Sequence, residues 1–502
     1  MNITMLLDMS AEAFGDRVAI SYEGEQLSFA DLKSRALGAA QFVRERGAAH
    51  LALLDVNSPA TAIAAFGAAH AAIPYVPLNY RLTDAELAEL VDRISPALVV
   101  VGPEAEGRLP ARDGIETISR AEFLAAAAER VDAESTAAED PAEIAVQLFT
   151  SGTTGKPKAA VLRHENLSSY IIGTVEFGAA EEVDANLVSV PPYHIAGISA
   201  ILSSTYACRR MAMIGAFDAQ RWVEACRREN ASNAFVVPTM LARIIEVLDA
   251  EGGEGLPSLR AIAYGGGRMP QQTIERAMGL LPQVDFTNAY GLTETSSTVA
   301  VLGPDDHRLA MSSEDPKVRR RLASAGQPTG AVEIQIRDED ERVLDAEEAG
   351  FVFVRGPQVS GEYLSLGSQL DAEGWFPTRD RGYLDAEGYL FLDGRADDVI
   401  VRGGENISPG EIEDVLLAHP AVADVAVVAV PDPQWGEGVG AAVVLAPDAS
   451  VSESELQQCV RDQLRSSRVP QRILFRDALP YNEMGKLLRR VIRDEMADAV
   501  AA

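Results

Sequence analysis

The sequence of 502 residues has few cysteines and no long apolar run. The three cysteines, Cys208, Cys226 and Cys459, lie far apart and form no CxxC pair. Neither a disulfide framework nor a zinc site is therefore indicated, and we expect a reducing, cytoplasmic location. No stretch of about 18 residues lacks both charge and proline, and no basic segment precedes the short apolar run at the N-terminus, so we expect no membrane span and no export signal.

Basic charge is also scarce. The 75 acidic residues outnumber the 44 basic ones and give a formal net charge of -31. Such a chain repels polyanions at long range, which argues against a nucleic-acid-binding surface. If the protein binds phosphate groups, it must do so with a local group of cations.

Lysine is rare, with five residues in the chain, and arginine supplies most of the positive charge. Lys156 and Lys158 share one Gly/Thr-rich segment, and Lys486 follows a glycine near the C-terminus. An ammonium group is a compact point charge and a guanidinium group is a planar fork, so these lysines are candidates for a specific role. Chance placement on solvated loops is the alternative for any one of them.

The length favours two or more domains. Between residues 51 and 101, apolar runs (LALLDV, ALVVV) alternate with helical patterns (TAIAAFGAAHAAI, DAELAELVDRI), as in βαβ units. The alternation returns between residues 144 and 300, so we predict an α/β body of layered subdomains with largely parallel strands. From about residue 332, shorter strands with turn signals predict a β-rich, antiparallel subdomain.

The C-terminal part predicts a separate, small α+β domain. Helices are expected at ISPGEIEDVLLAHP and at SESELQQCVRDQL, which carries a Ser/Glu capping signature, and strands at ADVAVVAVPD and GAAVVLAPD. We place the boundary at the turn after Gly394. The prediction is an N-terminal domain over residues 1–394, a hinge over 395–398 and a C-terminal lid domain over 399–502.

A Ser/Thr/Gly-rich segment, LFTSGTTGKPKAAVLRHENL, begins at Leu148. Its backbone N–H groups and hydroxyls can surround a triphosphate while Lys156 or Lys158 neutralises it. It is not a Walker A loop, because Pro157 stands five residues after Gly152, where that motif has its second glycine. From these residues alone, a simple polar hairpin remains the alternative.

This segment resembles the phosphate-loop signature of the adenylate-forming superfamily, which includes acyl-CoA synthetases, nonribosomal adenylation domains and luciferases. Three further segments resemble the other signatures of that superfamily, in its order: AYGLTETSS at Ala289, GRADDVIVRGGENISPGEIE at Gly394 and YNEMGKLLRR at Tyr481. The resemblance spans the chain. It implies a large AMP-binding body with a mobile lid, and activation of a carboxylic acid by ATP.

The resemblance implies a site for ATP and Mg²⁺. Glu294 is expected to hold the Mg²⁺, with Thr293 and the loop contacting phosphate oxygens. Lys486 is expected to bridge the acid's carboxylate and the α-phosphate, where two negative groups must meet. The residues assigned to the nucleotide are Thr150, Ser151, Gly152, Thr153, Thr154, Gly155, Lys156, Lys158, Gly265, Gly266, Gly267, Asn288, Ala289, Tyr290, Gly291, Asp380 and Arg395.

The resemblance also implies a second half-reaction, in which coenzyme A takes the acyl group. The small domain is expected to turn about Asp397 and to bring Gly403 and Gly404 beside the thiol channel. Arg402, directly before them, is expected to bind a cofactor. Glycines suit a narrow tunnel because they add no side-chain bulk. Trp435 is expected to pack near this channel, and a place in the hydrophobic core is its alternative.

Three residues raise narrower questions. His194 follows a Pro-Pro turn, and the resemblance implies a gating or orienting role, with a buried structural histidine as the alternative. His164 is expected to begin a helix. Arg379 stands where the superfamily's Thr-Gly-Asp motif has glycine, and it either alters the loop or places a cation near the nucleotide.

We therefore predict an ATP-dependent acyl-CoA synthetase that converts a fatty or aromatic acid to acyl-AMP and pyrophosphate, and then to acyl-CoA and AMP. The alternatives are an enzyme that loads a carrier protein and a non-catalytic nucleotide-binding relative. An amino-acid substrate is disfavoured, because YHIAGIS offers no aspartate for an ammonium group. The sequence decides neither the acid nor the oligomeric state, and a homodimer is compatible with it.

Overall fold

A computed structural model describes residues 1–130, 133–150, 157–253, 255–395, 398–402, 405–432, 434–481 and 487–501. Residues 151–156 of the phosphate loop, Asp397, Gly403, Gly404 and Lys486 lie outside this described part. The roles predicted for them therefore stay predictions.

Helices and strands alternate up to residue 130. Capping boxes begin three of these helices, with Ser28, Thr83 and Ser119 as the N-cap residues. The elements are α1 (Thr4–Phe14), β1 (Val18–Tyr22), β2 (Glu25–Ser28), α2 (Phe29–Glu45), β3 (His50–Leu54), α3 (Pro59–His70), β4 (Tyr75–Pro77), α4 (Asp84–Asp92), β5 (Ala97–Val101), β6 (Ile115–Ser119) and α5 (Arg120–Glu129).

The alternation resumes after residue 143. His164 begins a helix, as predicted. The elements are β7 (Ile144–Thr150), β8 (Lys158–Arg163), α6 (His164–Thr174), β9 (Ala185–Val188), α7 (Ile195–Tyr206), β10 (Arg210–Met213), α8 (Ala219–Arg228), β11 (Asn233–Val236), α9 (Pro238–Ala250), β12 (Ala261–Gly265), α10 (Gln271–Leu280), β13 (Asp285–Leu292), β14 (Ser297–Leu302), α11 (Pro304–Ser312), α12 (Pro316–Arg319) and β15 (Gln327–Pro328).

The rest of the body is formed by strands, and the chain then continues into a smaller unit. The strands of the body are β16 (Glu333–Arg337), β17 (Gly350–Arg355), β18 (Glu362–Tyr363), β19 (Gly367–Ser368), β20 (Phe376–Leu384) and β21 (Leu390–Arg395). The smaller unit contains β22 (Ile400–Arg402), β23 (Glu405–Ile407), α13 (Pro409–Leu417), β24 (Val422–Asp432), β25 (Gly436–Leu445), α14 (Glu453–Gln463), β26 (Arg472–Arg476) and α15 (Arg489–Ala501).

The body contains three sheets. The first sheet runs β15-β14-β13-β12-β11-β9-β10-β1-β2, with parallel pairing from β13 to β1. The second sheet runs β19-β18-β8-β7-β4-β3-β5-β6, and the third, antiparallel sheet runs β16-β17-β20-β21. Apolar residues of α1, α2, α3 and α7 fill the space between the first two sheets, and α8, α9 and α10 cover the outer face of the first. The predicted layered α/β body with a β-rich subdomain is confirmed.

The smaller unit is built on an antiparallel sheet, β23-β22-β25-β24, with β26 added parallel to β25. Helices α13 and α14 pack on one face and α15 on the other. The predicted capping signature is confirmed, because Ser452 and Glu455 exchange side-chain and backbone hydrogen bonds at the start of α14. The predicted boundary at residues 395–398 stays a prediction. Within the described residues, no helix is long and apolar enough to cross a bilayer.

We expect Gly265→Ala to destabilise the protein, because an added Cβ atom would lie 2.2 Å from the carbonyl oxygen of Ala289 in the adjacent strand. Overpacking of this kind typically costs about 1–3 kcal/mol of unfolding free energy. Gly279→Ala is the matched control, since its Cβ would meet nothing within 4 Å on the exposed face of α10. The control should gain about 0.5–1 kcal/mol. Urea denaturation measures both changes, and equal effects of the two substitutions would contradict the steric argument.

Buried histidines should make the protein sensitive to acid. Burial lowers the pKa of both His70 and His164 to about 4. Each imidazole is therefore neutral in the folded protein at pH values where it already charges in the unfolded chain, so stability is lost as the pH falls from about 6.5 towards 4. Each histidine contributes up to about 1.4 kcal/mol per pH unit in that window.

His164→Gln should therefore flatten the pH dependence of the unfolding free energy relative to the unsubstituted protein. Denaturation in urea at pH 7.5, 6.5 and 5.5 measures that slope. Parallel slopes for the two proteins would show that His164 does not contribute to the acid sensitivity.

Candidate active site

The carboxyl ends of β12 and β13 lie side by side at one edge of the first sheet. The strands run parallel, and Gly265 pairs with Ala289. Gly266 follows with a φ of 81°, in the left-handed region that glycine adopts readily. Ligands of open α/β sheets bind beyond the carboxyl ends of the strands. The structure therefore brings two groups of predicted residues, 265–267 and 288–294, together at the carboxyl ends of two parallel strands, where sheets of this type bind ligands.

Asp380 lies in β20 at the border between the first and third sheets, with only 7% of its surface exposed. The Tyr290 hydroxyl donates to Asp380 Oδ2 at 2.6 Å, and Arg395 Nε lies 3.0 Å from Oδ1. Burial and the adjacent carboxylate raise the pKa of Tyr290 well above its usual 10, so the phenol remains protonated and continues to donate. The structure thus joins three of the residues that the resemblance assigns to the nucleotide.

Glu294 lies in a short 3-10 turn, Thr293–Thr295, directly after β13. Its backbone carbonyl accepts hydrogen bonds from the N–H groups of Ser360 and Gly361, each at 2.9 Å. Its side-chain Oε1 accepts a hydrogen bond from the Tyr363 hydroxyl at 2.5 Å. Burial and the Glu294 carboxylate raise the pKa of Tyr363, so this phenol is also a stable donor. The carboxylate is thereby fixed just beyond the carboxyl end of β13, the strand whose Tyr290 holds Asp380.

The donor set fits a Mg²⁺ ion that is shared with a nucleotide. In the described part of the chain, no group of three or more His, Cys, Asp or Glu side chains could enclose a metal ion. Mg²⁺ is typically bound by one or two carboxylates together with substrate phosphates and water. Glu294 supplies such a carboxylate, which agrees with the role that the resemblance implies for it.

The described ends of the phosphate loop also reach this edge. Thr150 and Lys158 pair across β7 and β8, and the Thr150 hydroxyl donates to the Lys158 carbonyl at 3.4 Å. The ammonium group of Lys158 lies 5.4 Å from the centroid of the Tyr363 ring. One cation of the predicted loop is therefore close to the Glu294–Tyr363 pair.

Other predicted residues shape the turn. The Asn288 side chain donates to the Ser324 carbonyl at 2.9 Å, so it ties β13 to the segment before β15. A Cβ atom on Gly291 would lie 1.8 Å from the Ser297 carbonyl oxygen, so glycine is required there by the protein itself. Thr293 begins the 3-10 turn that carries Glu294. These contacts give the three residues a structural role in positioning the site, and this role does not depend on contact with a nucleotide.

Arg379 has a φ of 64°, in the left-handed region. An L-residue other than glycine adopts this conformation at a cost of about 1–2 kcal/mol. Its side chain is exposed, whereas its neighbours Thr378 and Asp380 are buried. Arg379 therefore retains the backbone conformation that suits glycine, and it also adds an exposed cation beside the site.

His194 is the N-cap residue of α7. Its ring centroid lies 4.5 Å from that of Tyr193, and its Nε2 atom is buried without a hydrogen-bond partner among the described residues. Burial, together with the Arg81 guanidinium, lowers the pKa of His194 to about 3. The imidazole is thus neutral near pH 7, which agrees better with orientation or gating than with a cationic role.

A cavity of about 260 Å³ lies next to this histidine, because Tyr80 lines the cavity and contacts Tyr193 at a ring separation of 5.4 Å. Tyr481 lines it from the smaller unit, so the cavity lies between the two units. Its other lining residues are Arg81, Ser189, Pro191, Gly215, Ala216, Phe217, Thr239, Met240 and Arg243.

Two further residues predicted to bind a cofactor, Arg402 and Trp435, lie in the smaller unit. Arg402 donates to the Ser467 carbonyl at 2.7 Å, and it pairs with Gly436 across β22 and β25. Trp435 is 45% exposed, so the alternative that it fills the hydrophobic core is wrong. Neither contact brings these residues to Glu294, and their cofactor-binding roles stay predictions.

Sequence reasoning missed Tyr363 and the two arginines of the cavity, Arg81 and Arg243. Tyr363 is 69 positions from its partner Glu294 and lies in a two-residue strand, so no local pattern signals the contact. The two arginines, at positions 81 and 243, lie even farther apart along the chain. Basic residues are few in this acidic chain, so the two arginines could have been marked as candidates. Only the fold shows that they line the same cavity.

Known proteins resemble the whole chain. The AMP-binding enzyme family matches residues 7–364, and the AMP-binding enzyme C-terminal domain matches residues 411–486. The fatty acid–[acyl-carrier-protein] ligase ScoC of Streptomyces coeruleorubidus is 32% identical over 495 residues, covering 95% of this chain and 93% of the relative. The 2-succinylbenzoate–CoA ligase of Bacillus subtilis strain 168 is 32% identical over 498 residues, covering 96% of each chain.

Solved structures agree with these relatives. The o-succinylbenzoate CoA synthetase (MenE) of Bacillus subtilis, in complex with its acyl-adenylate intermediate, superposes with a TM-score of 0.83 and 29% identity, covering 97% of this chain and 98% of that one. The same enzyme with ATP and magnesium ion gives a TM-score of 0.82 and 30% identity over the same shares of the two chains. Because the family signature covers most of the body and a second one covers much of the smaller unit, this chain belongs to the AMP-binding enzyme family.

Proposed function

We propose that this protein is an AMP-forming acid–thiol ligase that activates a fatty or aromatic carboxylic acid with ATP and passes the acyl group to coenzyme A. The observation that carries the proposal is the pair of carboxylates that are held in place beside the carboxyl end of β13. Asp380 is held by Tyr290 and Arg395, and Glu294 is held by Tyr363. One carboxylate suits ribose hydroxyls and the other suits a phosphate-bound Mg²⁺.

The chain's own residues would bind and orient the nucleotide. Asp380 would accept hydrogen bonds from the ribose hydroxyls, while Tyr290 and Arg395 fix the plane of its carboxylate. Glu294 would hold a Mg²⁺ ion together with the phosphates, and this ion would supply the charge neutralisation that lets a carboxylate approach the α-phosphate. Lys158 adds a cation from the described end of the phosphate loop. Lys486, from the smaller unit, would complete the neutralisation at the reacting oxygen.

The acyl acceptor has two candidates. Coenzyme A is favoured by the relatives that are named CoA ligases. A carrier-protein thiol is the second candidate, because the relative named as a fatty acid–[acyl-carrier-protein] ligase is as similar in sequence, at 32% identity. Both acceptors present a thiol, so both fit the same adenylate chemistry.

The test is an assay of AMP and pyrophosphate release with a panel of aliphatic and aromatic acids at fixed Mg·ATP. The acids should drive pyrophosphate release, and coenzyme A should then accelerate AMP release. Acceleration by an acyl-carrier protein but not by coenzyme A would select the second acceptor. Binding of ATP without turnover of any acid would support a non-catalytic relative and overturn the proposal.

Lys486→Ala should reduce adenylate formation by a factor of at least about 100, because the charge that stabilises the transition state at the α-phosphate is removed. Thioester formation from synthetic acyl-adenylate should change little. Lys33→Ala is the matched control, since that lysine pairs with Asp8 at the surface. The rates of the two half-reactions are measured separately. An equal loss of rate in both would contradict a specific role for Lys486 in adenylate formation.

A further inference from the structure

An ion pair joins the smaller unit to the turn that follows β12. Arg268 comes directly after the glycines at 265–267, which the resemblance assigns to the nucleotide. Its guanidinium group forms an ion pair with the Asp414 carboxylate of α13, 146 positions further along the chain. The pair therefore connects the nucleotide side of the body to a helix of the smaller unit.

The N-terminal end of α13 also rests on the body. The Ser408 hydroxyl, at the N-cap, donates to the Asp393 carbonyl of β21 at 2.7 Å. Gly410, in the first turn of α13, lies so close to the Arg268 guanidinium that an added Cβ atom would overlap it. Gly410 and Asp414 are four positions apart, so they share one face of the helix. The missing side chain at Gly410 thus leaves room for the guanidinium to lie along this face and reach Asp414.

Helix α13 is tied in turn to the chain that follows Lys486. The Glu413 side chain, next to Asp414, is buried, and its Oε2 atom accepts a hydrogen bond from Arg489 at 2.9 Å. Arg489 also donates to the Val427 carbonyl of β24 at 2.6 Å. It comes three positions after Lys486 in the sequence. A contact between the body and α13 therefore bears on the part of the smaller unit from which the predicted catalytic lysine extends.

We propose that Arg268 and Asp414 are positioning residues for adenylate formation, because their ion pair holds the smaller unit on the nucleotide side of the body. The proposal rests on the proposed function, in which Lys486 acts at the α-phosphate from the smaller unit. Neither residue of the pair has to touch a substrate. Both act through α13, whose orientation sets where the chain after Lys486 lies relative to the body.

The strength of the pair suits a contact that must also be broken. Both side chains are partly exposed, Arg268 by 43% and Asp414 by 49%. Solvent screens such a pair, so its loss changes an equilibrium only a few-fold. The resemblance implies that the smaller unit turns before the thiol reacts, and a buried charge pair would oppose that turn much more strongly. An exposed pair favours the first orientation without trapping the smaller unit in it.

The test measures the two half-reactions separately, in single turnovers at saturating ATP and acid. Asp414→Asn should slow adenylate formation about threefold to fivefold, because the smaller unit spends less time in the competent orientation. Asp414→Arg should slow it about tenfold or more, since two guanidinium groups then face each other. Thioester formation from synthetic acyl-adenylate should stay within about twofold in both variants, because the pair is not needed in that step.

Exchange of the two charges distinguishes the pair from either residue alone. Arg268→Asp combined with Asp414→Arg forms a pair of reversed polarity, which should restore adenylate formation to within about twofold of the original rate. Gly410→Ala displaces the Arg268 guanidinium without changing a charge, so it should slow adenylate formation as Asp414→Asn does. Asp249→Asn is the matched control. Asp249 pairs with Arg276 on the surface of the body, and its loss should leave both half-reactions unchanged.

The outcomes separate the two proposals. The role of the pair is overturned if Asp414→Arg forms adenylate at the original rate, if it slows both half-reactions equally, or if the exchanged pair fails to restore the rate. The proposed function survives each of these results, because the unsubstituted protein still forms the adenylate. If the unsubstituted protein forms no adenylate from ATP and any acid of the panel, the proposed function and the role of the pair fail together.

Discussion

The hydrogen bond between Tyr290 and Asp380 joins two sheets at the point where the active site forms. Tyr290 belongs to the first sheet and Asp380 to the third, and their 2.6 Å contact ties the two sheets together. The hydrogen bond from Tyr363 to Glu294 links the first sheet to the second in the same way. Three independently built layers thus converge on two carboxylates. Because each carboxylate is held by a protonated phenol, the site keeps its negative oxygens in place before any ligand arrives.

Much of this arrangement follows from the sequence, because periodic patterns report local structure. The apolar runs of β3 and β5 and the capping box of α14 are local features, and they appear as predicted. Asp380, Arg395, Tyr290 and Glu294 lie in short motifs that the resemblance assigns to one site, and the fold joins the first three of them by direct contacts. Tyr363 could not be foreseen, since its contact with Glu294 depends on the pairing of a two-residue strand with β8.

Arg379 shows a different limit of sequence reasoning. The departure from the motif shows that Arg379 is unusual. It shows neither the positive φ angle of Arg379 nor the bulge in the pairing of β17 with β20 where Arg379 lies. The cavity beside His194 could not be predicted from the sequence either, because its lining combines Arg81 and Arg243 from the body with Tyr481 from the smaller unit. Such combinations arise from packing over long sequence separations, which local propensities do not report.

The antiparallel pairing of β18 with β8 has a consequence for how the protein is made. Glu362 aligns with Val161, so the second sheet gains its last strands about two hundred positions after the neighbouring strand has left the ribosome. Such non-local pairing is slow to form, and domains emerge from the N-terminus first during synthesis. A nascent chain that ends before residue 380 can bury most of its apolar layers, yet it lacks Asp380. One that ends before residue 363 also lacks Tyr363, the donor to Glu294. The nucleotide site can therefore be completed only late in translation, after the sheets that carry it have formed.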